Sequence, residues 1–146
     1  MQKSMCLPRT SRGFTLLEVM VVIVILGILA GLIVPNLLGN KEKADIQKAK
    51  TDIVALENAL DMYRLDNSRY PTTEQGLEAL VSKPTSSPEP RNYPEDGYLR
   101  RLQKDPWGNE YIIVSPGEHG RIDIFSAGLD GEEGTEDDIG NWDLDK

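Results

Sequence analysis

Cysteine and histidine are almost missing from this chain: it has Cys6, His119 and no second copy of either. A lone thiol excludes an intramolecular disulfide, whatever the compartment. A disulfide-free domain outside the cytoplasm must be held together some other way, and a bound metal is one candidate. The single histidine stands in the turn-like stretch Pro116-Gly117-Glu118-His119-Gly120. The motifs G-x-S-x-G, H-E-x-x-H and the P-loop are all absent, so the chain reads as no enzyme. Internal repeats are absent too, and low complexity is confined to the Pro/Ser-rich run Lys83–Pro90.

Positive charge is also in short supply. Across 146 residues, 16 Lys+Arg against 24 Asp+Glu give a net charge of −8. Residues 1–13 carry Lys3, Arg9 and Arg12 and no acid, so the remainder has 13 basic and 24 acidic residues, or −11. Residues 118–146 hold ten acids against Arg121 and Lys146. A body this acidic repels a phosphate backbone, which excludes nucleic acid as the expected partner.

What the sequence does have is one long apolar run. Phe14–Val34 is apolar except for Thr15 and Glu18. About 20 apolar helical residues cross a bilayer, so the run is long enough to span one. The basic residues before it place the N-terminus in the cytoplasm and everything after Pro35 on the far side. A cleavable secretory signal has an apolar core of about 7–15 residues followed by a small-residue cleavage site. Here the core is longer, and the small residue Gly13 precedes it. A plain signal anchor explains the length and flanks but not Glu18. A carboxylate inside an apolar helix costs about 2.5–3.5 kcal/mol on insertion scales and usually marks a function with a partner.

Arg12-Gly13-Phe14-Thr15-Leu16-Leu17-Glu18, followed by that run, resembles the class III signal of type IV pilins and type II secretion pseudopilins. The resemblance implies that a membrane prepilin peptidase cuts after Gly13 and methylates the new N-terminal Phe14. It also makes Glu18 the fifth mature residue and the docking carboxylate for a neighbouring subunit's N-terminal amine. Elementary electrostatics is compatible with this, because an apolar surrounding strengthens the pairing of that amine with a buried carboxylate. Two other fates stay open for Glu18: an intrachain pair with its own terminus, or snorkelling toward the cytoplasmic interface.

Beyond the run, Pro35 removes a backbone donor and is expected to loosen the helix, helped by Gly27 and Gly31. The resemblance implies an extensible joint over Gly27–Pro35, and a simple abundance of Gly and Pro in membrane helices is the other open reading. Ile46, Ala49, Ile53, Leu56, Leu60 and Tyr63 then recur at spacings of 3 and 4, one apolar stripe along an α-helix. Lys41, Glu42, Lys43, Lys48, Lys50, Asp52 and Glu57 occupy its other faces. From Phe14 to Arg64 such a helix would be roughly 75 Å long.

Asn67-Ser68 and Pro71 end this spine. Thr72 and Gln75 have the form of a capping box, opening a short helix through Gly76–Leu80. The proline-rich loop of Pro84, Pro88, Pro90 and Pro94 follows, then the turn Asp105-Pro106-Trp107-Gly108. Glu110–Val114 and Arg121–Ser126 read as the strands of a hairpin, able to pack on the spine's stripe. Trp107 and Tyr111 read as packing residues. Tyr70–Leu77 and Asp105–Gly108 resemble the same stretches of the major pseudopilins of type II secretion.

The last feature is the acidic, glycine-rich segment Ala127–Trp142. Carboxylates brought together by glycines suit Ca²⁺, which takes about six to eight oxygen ligands. The EF-hand pattern fails when counted from Asp130, and a solvated, mobile loop is the open alternative. The resemblance implies a structural Ca²⁺ held by Asp130, Asp137 and Asp138, with main-chain carbonyls of Ala127, Glu132 and Thr135.

The expected fold class is α+β: a long N-terminal helical spine with a small headpiece of a short helix, an antiparallel β-hairpin and a calcium-binding loop. The expected organisation is a cleaved leader (1–13), a transmembrane and polymerisation helix (14–35), the amphipathic half of the spine (36–69) and a headpiece (70–146) with the metal loop at 127–142. The resemblance further implies a structural subunit that polymerises into the periplasmic filament of a type II secretion system, serving export of folded proteins across the outer membrane. Its implied partners are copies of itself, minor pseudopilins, the prepilin peptidase, the inner-membrane assembly platform and the outer-membrane secretin channel. The implied location is the bacterial inner membrane, crossed once, with the headpiece in the periplasm. A type IV pilin subunit is the alternative.

Overall fold

The structure, a computed structural model, describes residues 13–144, with the side chains of 32–38 left aside. The chain divides into two compact units, Met1–Asn40 and Lys41–Lys146. One helix, α1 (Leu16–Asn67), carries the sequence through both. It runs unbroken across Pro35, where the loosening expected from the sequence is absent: a proline removes one i→i−4 bond, and the remaining turns of the helix carry it through.

In the first unit Thr15 Oγ1 accepts the N–H of Glu18 at 3.2 Å and caps the helix start. Every described side chain from Gly13 to Gly31 is exposed, including Phe14, Leu16, Leu17 and the aliphatic residues 19–26. Among the described residues no helix is long and apolar enough to cross a membrane. The run expected to do so continues through 32–34, whose side chains lie outside that description.

In the second unit the predicted stripe faces a core. Ala49, Ile53, Leu56, Leu60 and Tyr63 are buried, and Ile46 packs at the margin. Each fully buried aliphatic side chain contributes about 1.5–3 kcal/mol by leaving water, so this face and not helix propensity holds the segment in place. The exposed pair Lys41–Asp45 adds at most a few tenths. Three residues assigned to the polar faces are not merely solvated. Lys50 Nζ reaches the Asp143 carbonyl (2.8 Å), Asp52 accepts the Tyr111 hydroxyl (2.9 Å), and Glu57 accepts the Asn141 amide (2.9 Å).

The helix ends where expected. Ser68 takes a left-handed φ of 60°, and its N–H bonds to the Arg64 carbonyl. Buried Asn67 then caps Tyr63 O and accepts the N–H of Asn92, fastening the proline-rich loop to the helix end. Thr72 and Gln75 form a reciprocal capping box, Gln75 N–H to Thr72 Oγ1 (3.2 Å) and Thr72 N–H to Gln75 Oε1 (3.1 Å). The element it opens is a 3₁₀ turn, Leu77–Leu80, shorter than the helix expected over Gly76–Leu80. Gly76 at φ 62° breaks continuity, and the buried Gln75 donates its Nε2 to the carbonyls of Ser86 and Pro88 in the proline-rich loop.

The hairpin is present, with a third strand that the sequence concealed. β1 (Ile112–Val114), β2 (Asp123–Ser126) and β3 (Ile139–Gly140) form an antiparallel sheet in that order. Ile113 pairs with Ile124, and Ser126 with Ile139. β2 starts two residues later than expected because the hairpin turn closes on the buried Asp123 carboxylate. Its Oδ2 accepts the N–H groups of Glu118 (2.7 Å) and His119 (3.0 Å). Burial raises that carboxyl's pKa, but these donors and the His119 ring outweigh it, leaving the group below its ordinary value. Ile113, Ile122, Ile124, Tyr111 and Ile139 join the same core as the stripe of α1, so the sheet packs where the sequence predicted. The fold is α+β, a long N-terminal helix with a small antiparallel sheet.

Candidate functional site

The acidic segment 127–138 leaves β2 and returns as β3, so pairing of Phe125 with Gly140 and Ser126 with Ile139 brings its two ends together. Short strands suffice, because both residues of β3 and all four of β2 are buried. Gly128, at φ 60°, is required on two counts: the left-handed backbone, and a Cβ there would collide with Asp137.

Within the loop, carboxylates organise the backbone. Asp137 Oδ2 accepts the N–H groups of Leu129 (2.8 Å) and Asp130 (3.2 Å), while Oδ1 accepts the Thr135 hydroxyl at 2.6 Å. The Thr135 bond first, then the backbone donors, hold this half-buried carboxyl below its usual pKa. Asp130 Oδ1 accepts the N–H of Glu132 at 2.9 Å, and the Thr135 hydroxyl lies 3.4 Å from it. Asp138 Oδ2 accepts the N–H of Gly134 at 2.7 Å. Asp138 Oδ1 is buried and has no hydrogen-bond partner.

The three carbonyls implied as donors each accept one bond: Ala127 O from Gly131 N–H (3.1 Å), Glu132 O from the Thr135 hydroxyl (3.2 Å), and Thr135 O from Asp138 N–H (3.4 Å). A carbonyl has a second lone pair, so all three retain acceptor capacity. One proton on Thr135 Oγ1 therefore faces three oxygens, those of Asp130, Asp137 and Glu132. It can satisfy one of them well. The structure thus brings Asp130 and Asp137 to a common point, while Asp138 sits apart on Gly134. Among the described residues no three His, Cys, Asp or Glu side chains are grouped closely enough to hold a metal ion.

Sequence reasoning missed what holds this loop from outside. Asn141 bonds Glu57, Ile122 O and Ile124 N–H, and the His119 ring stacks on Trp142 at 4.1 Å. Gly140 leaves no room for a Cβ beside the Trp142 ring, which seats that indole. Tyr111 is a donor to Asp52 as well as a packing residue. Burial, then the bond to Asp52, push its hydroxyl pKa well above the ordinary value. Only Thr15 could have been found in advance, since Thr15-Leu16-Leu17-Glu18 has the spacing of a capping box.

At the other end of the chain, Gly13 and Phe14 precede the helix, and a Cβ on Gly13 would meet nothing within 4 Å. Phe14 is 82% exposed. Glu18 lies in the first turn of α1 with its side chain exposed.

Residues 36–142 match the family described as "Type II secretion system (T2SS), protein G", and residues 8–34 match the "Prokaryotic N-terminal methylation motif". Type II secretion system core protein G of Aeromonas hydrophila is 75% identical over 136 residues, 93% of this chain and 95% of that one. Its counterpart in Vibrio cholerae is 72% identical over 139 residues, covering 93% and 94%. That of Pseudomonas aeruginosa is 56% identical over 138 residues, covering 92% and 97%. Among solved structures, the major pseudopilin from the type 2 secretion system of enterohaemorrhagic Escherichia coli superposes with a TM-score of 0.70 at 69% identity, covering 74% of this chain and 95% of that chain.

Proposed function

The chain belongs to the type II secretion system protein G family, and we propose that it works as the major pseudopilin, a structural subunit that polymerises through α1 into the periplasmic filament of that system. One observation carries this reading: a methylation motif over 8–34 and the protein G family over 36–142 lie on the two parts of a single helix-led chain. The match over 36–142 sets the type IV pilin alternative aside. The subunit acts by assembly and serves export of folded proteins across the outer membrane.

Phe14–Val34 is the inner-membrane anchor, crossed once, with Lys3, Arg9 and Arg12 on the cytoplasmic side and the headpiece in the periplasm. The prepilin peptidase cuts between Gly13 and Phe14 and methylates Phe14; the exposed, uncrowded junction supports that reading. The aliphatic side chains of α1 that face outward are the polymerising surface. Glu18, exposed on that surface, docks the terminal amine of a neighbour and so offsets the cost of about 2.5–3.5 kcal/mol of carrying a carboxylate into the bilayer. Minor pseudopilins, the assembly platform and the secretin channel complete its partners.

The acidic loop holds a structural Ca²⁺ through Asp130, Asp137 and Asp138 and the carbonyls of Ala127, Glu132 and Thr135. The donor chemistry supports this, since every candidate is a hard oxygen. So does Asp138 Oδ1, a buried carboxylate oxygen without a partner. The ion, when bound, neutralises these carboxylates and ties the loop down, taking the role that a disulfide cannot fill in a chain with one cysteine.

Glu18→Ala tests the assembly mechanism. Intact mass of the membrane-extracted protein is expected to show normal cleavage and methylation, while electron microscopy finds no filaments. Normal filaments from that variant would refute the docking role.

A further inference from the structure

Resting on the calcium reading above, we propose that Asp105, which lies outside the acidic loop, is a positioning residue that aims the Ala127 carbonyl at the metal. Asp105 is 5% exposed and makes no ion pair among the described residues. A buried carboxylate is tolerated only when hydrogen bonds replace its water. Its Oδ1 accepts the N–H groups of Trp107 (3.0 Å) and Asn109 (2.7 Å), which closes its own turn. Its Oδ2 reaches across to accept the hydroxyl of Ser126, the fully buried last residue of β2.

That third bond sets a polarity. A carboxylate can only accept, so the Ser126 proton must point at Asp105, and a lone pair on Ser126 Oγ is left for the N–H of Gly128 (3.2 Å). Asn109, placed by its own N–H on Asp105, donates its amide to the Gly128 carbonyl (3.2 Å). Both polar groups of Gly128 thus end on groups ordered by Asp105. The Gly128 N–H and the Ala127 C=O belong to one trans-planar peptide and point in opposite directions. Holding the N–H on Ser126 therefore fixes the carbonyl toward the loop, where Gly131 N–H already meets it at 3.1 Å.

Asp105→Asn reverses the relay while keeping the size. Asn Oδ1 still accepts from Trp107 and Asn109, but its NH₂ donates to the second lone pair of Ser126 Oγ, so the Ser126 proton loses its acceptor and the hydroxyl must turn away from the geometry that meets Gly128. Ser126→Ala removes the relay outright with little change of volume. The mature full-length protein in detergent is titrated with CaCl₂ by calorimetry, and the Gly128 amide proton is followed by NMR before calcium is added. Outer-sphere partners of this kind usually change metal affinity about 10–100-fold. Both variants are therefore expected to bind calcium about 10–100-fold more weakly, with the Gly128 amide shifted upfield. Should Asp105→Asn fail to fold, Ser126→Ala decides. Wild-type affinity in a folded variant, or weakened affinity with an unmoved Gly128 signal, overturns the relay. A wild-type protein that binds no calcium overturns the metal reading instead.

Discussion

Replacing Asn141 by alanine should cost about 2–4 kcal/mol of stability, and the structure says why. The amide sits just after β3 and joins three pieces of the headpiece. Its Nδ2 donates to Glu57 Oε1 on α1 (2.9 Å) and to Ile122 O (3.1 Å), and its Oδ1 accepts the N–H of Ile124 (3.2 Å). A typical hydrogen bond contributes a net of about 0.5–1.5 kcal/mol, and a stranded buried group costs about 1–3 kcal/mol. Ile124 is fully buried and Ile122 nearly so, so the stranded Ile124 N–H and Ile122 carbonyl take the larger penalties, while half-buried Glu57 loses less. Urea unfolding of the mature protein, followed by tryptophan fluorescence, measures the loss directly. Trp142 adjoins the substituted residue and Trp107 lies at the core margin, so both report on the headpiece. The midpoint should fall with the slope unchanged. A loss below about 1 kcal/mol would refute the claim that this amide ties the end of the loop to the helix.

Calcium removal should act on the loop in the same direction. Chelation is expected to lower the melting temperature of wild type and expose residues 129–136 to protease, and Asp138→Asn should flatten that response; a melt indifferent to both chelator and variant would end the metal assignment. At 100 times the dissociation constant, a bound ion contributes about 2.7 kcal/mol, enough to see by calorimetry. Asp123 predicts a pH effect. Its folded pKa lies below the ordinary 3.8, so its contribution is present above that value and lost as pH falls through the folded pKa. Asp123→Asn should therefore lower stability at neutral pH and shrink the acid-induced loss below about pH 4, read from melting temperatures between pH 2 and 7.

How much of this was legible beforehand follows the range of the interactions involved. The stripe from Ile46 to Tyr63, the capping box at Thr72 and the hairpin strands depend on spacing within one turn or one strand pair, and the sequence displays that spacing. β3 was hidden because it is two residues, Ile139–Gly140, whose strand character comes entirely from pairing with β2. The short helix expected over Gly76–Leu80 is a 3₁₀ helix that begins one residue later, at Leu77, because Gly76 adopts a positive φ that no local pattern reveals. For the candidate site, acidic composition pointed to the loop, but not to the division of labour within it. Asp137 spends one oxygen on backbone N–H groups, and Asp138 leaves one unpartnered. Asp105 and Asn109 are separated from that loop in sequence, and together with Ser126, which borders it, they look like ordinary turn and strand residues. Glu57 and Asp52, likewise, look like solvent-facing charges until the residues some 60 to 80 positions later arrive beside them.

The brevity of the sheet has a consequence for a molecule that lives among many copies of itself. Exposed strand edges are templates for pairing with another chain, and crowding raises that risk. Here β1 has three residues and β3 has two, while the fully buried β2 lies between them. The residue after β1, Ser115, has both its N–H and its carbonyl engaged by the Thr73 hydroxyl, so the strand stops there. Neither border is long enough to recruit a neighbour's strand. Headpieces brought close together are thus protected against fusing edge to edge into a β-aggregate.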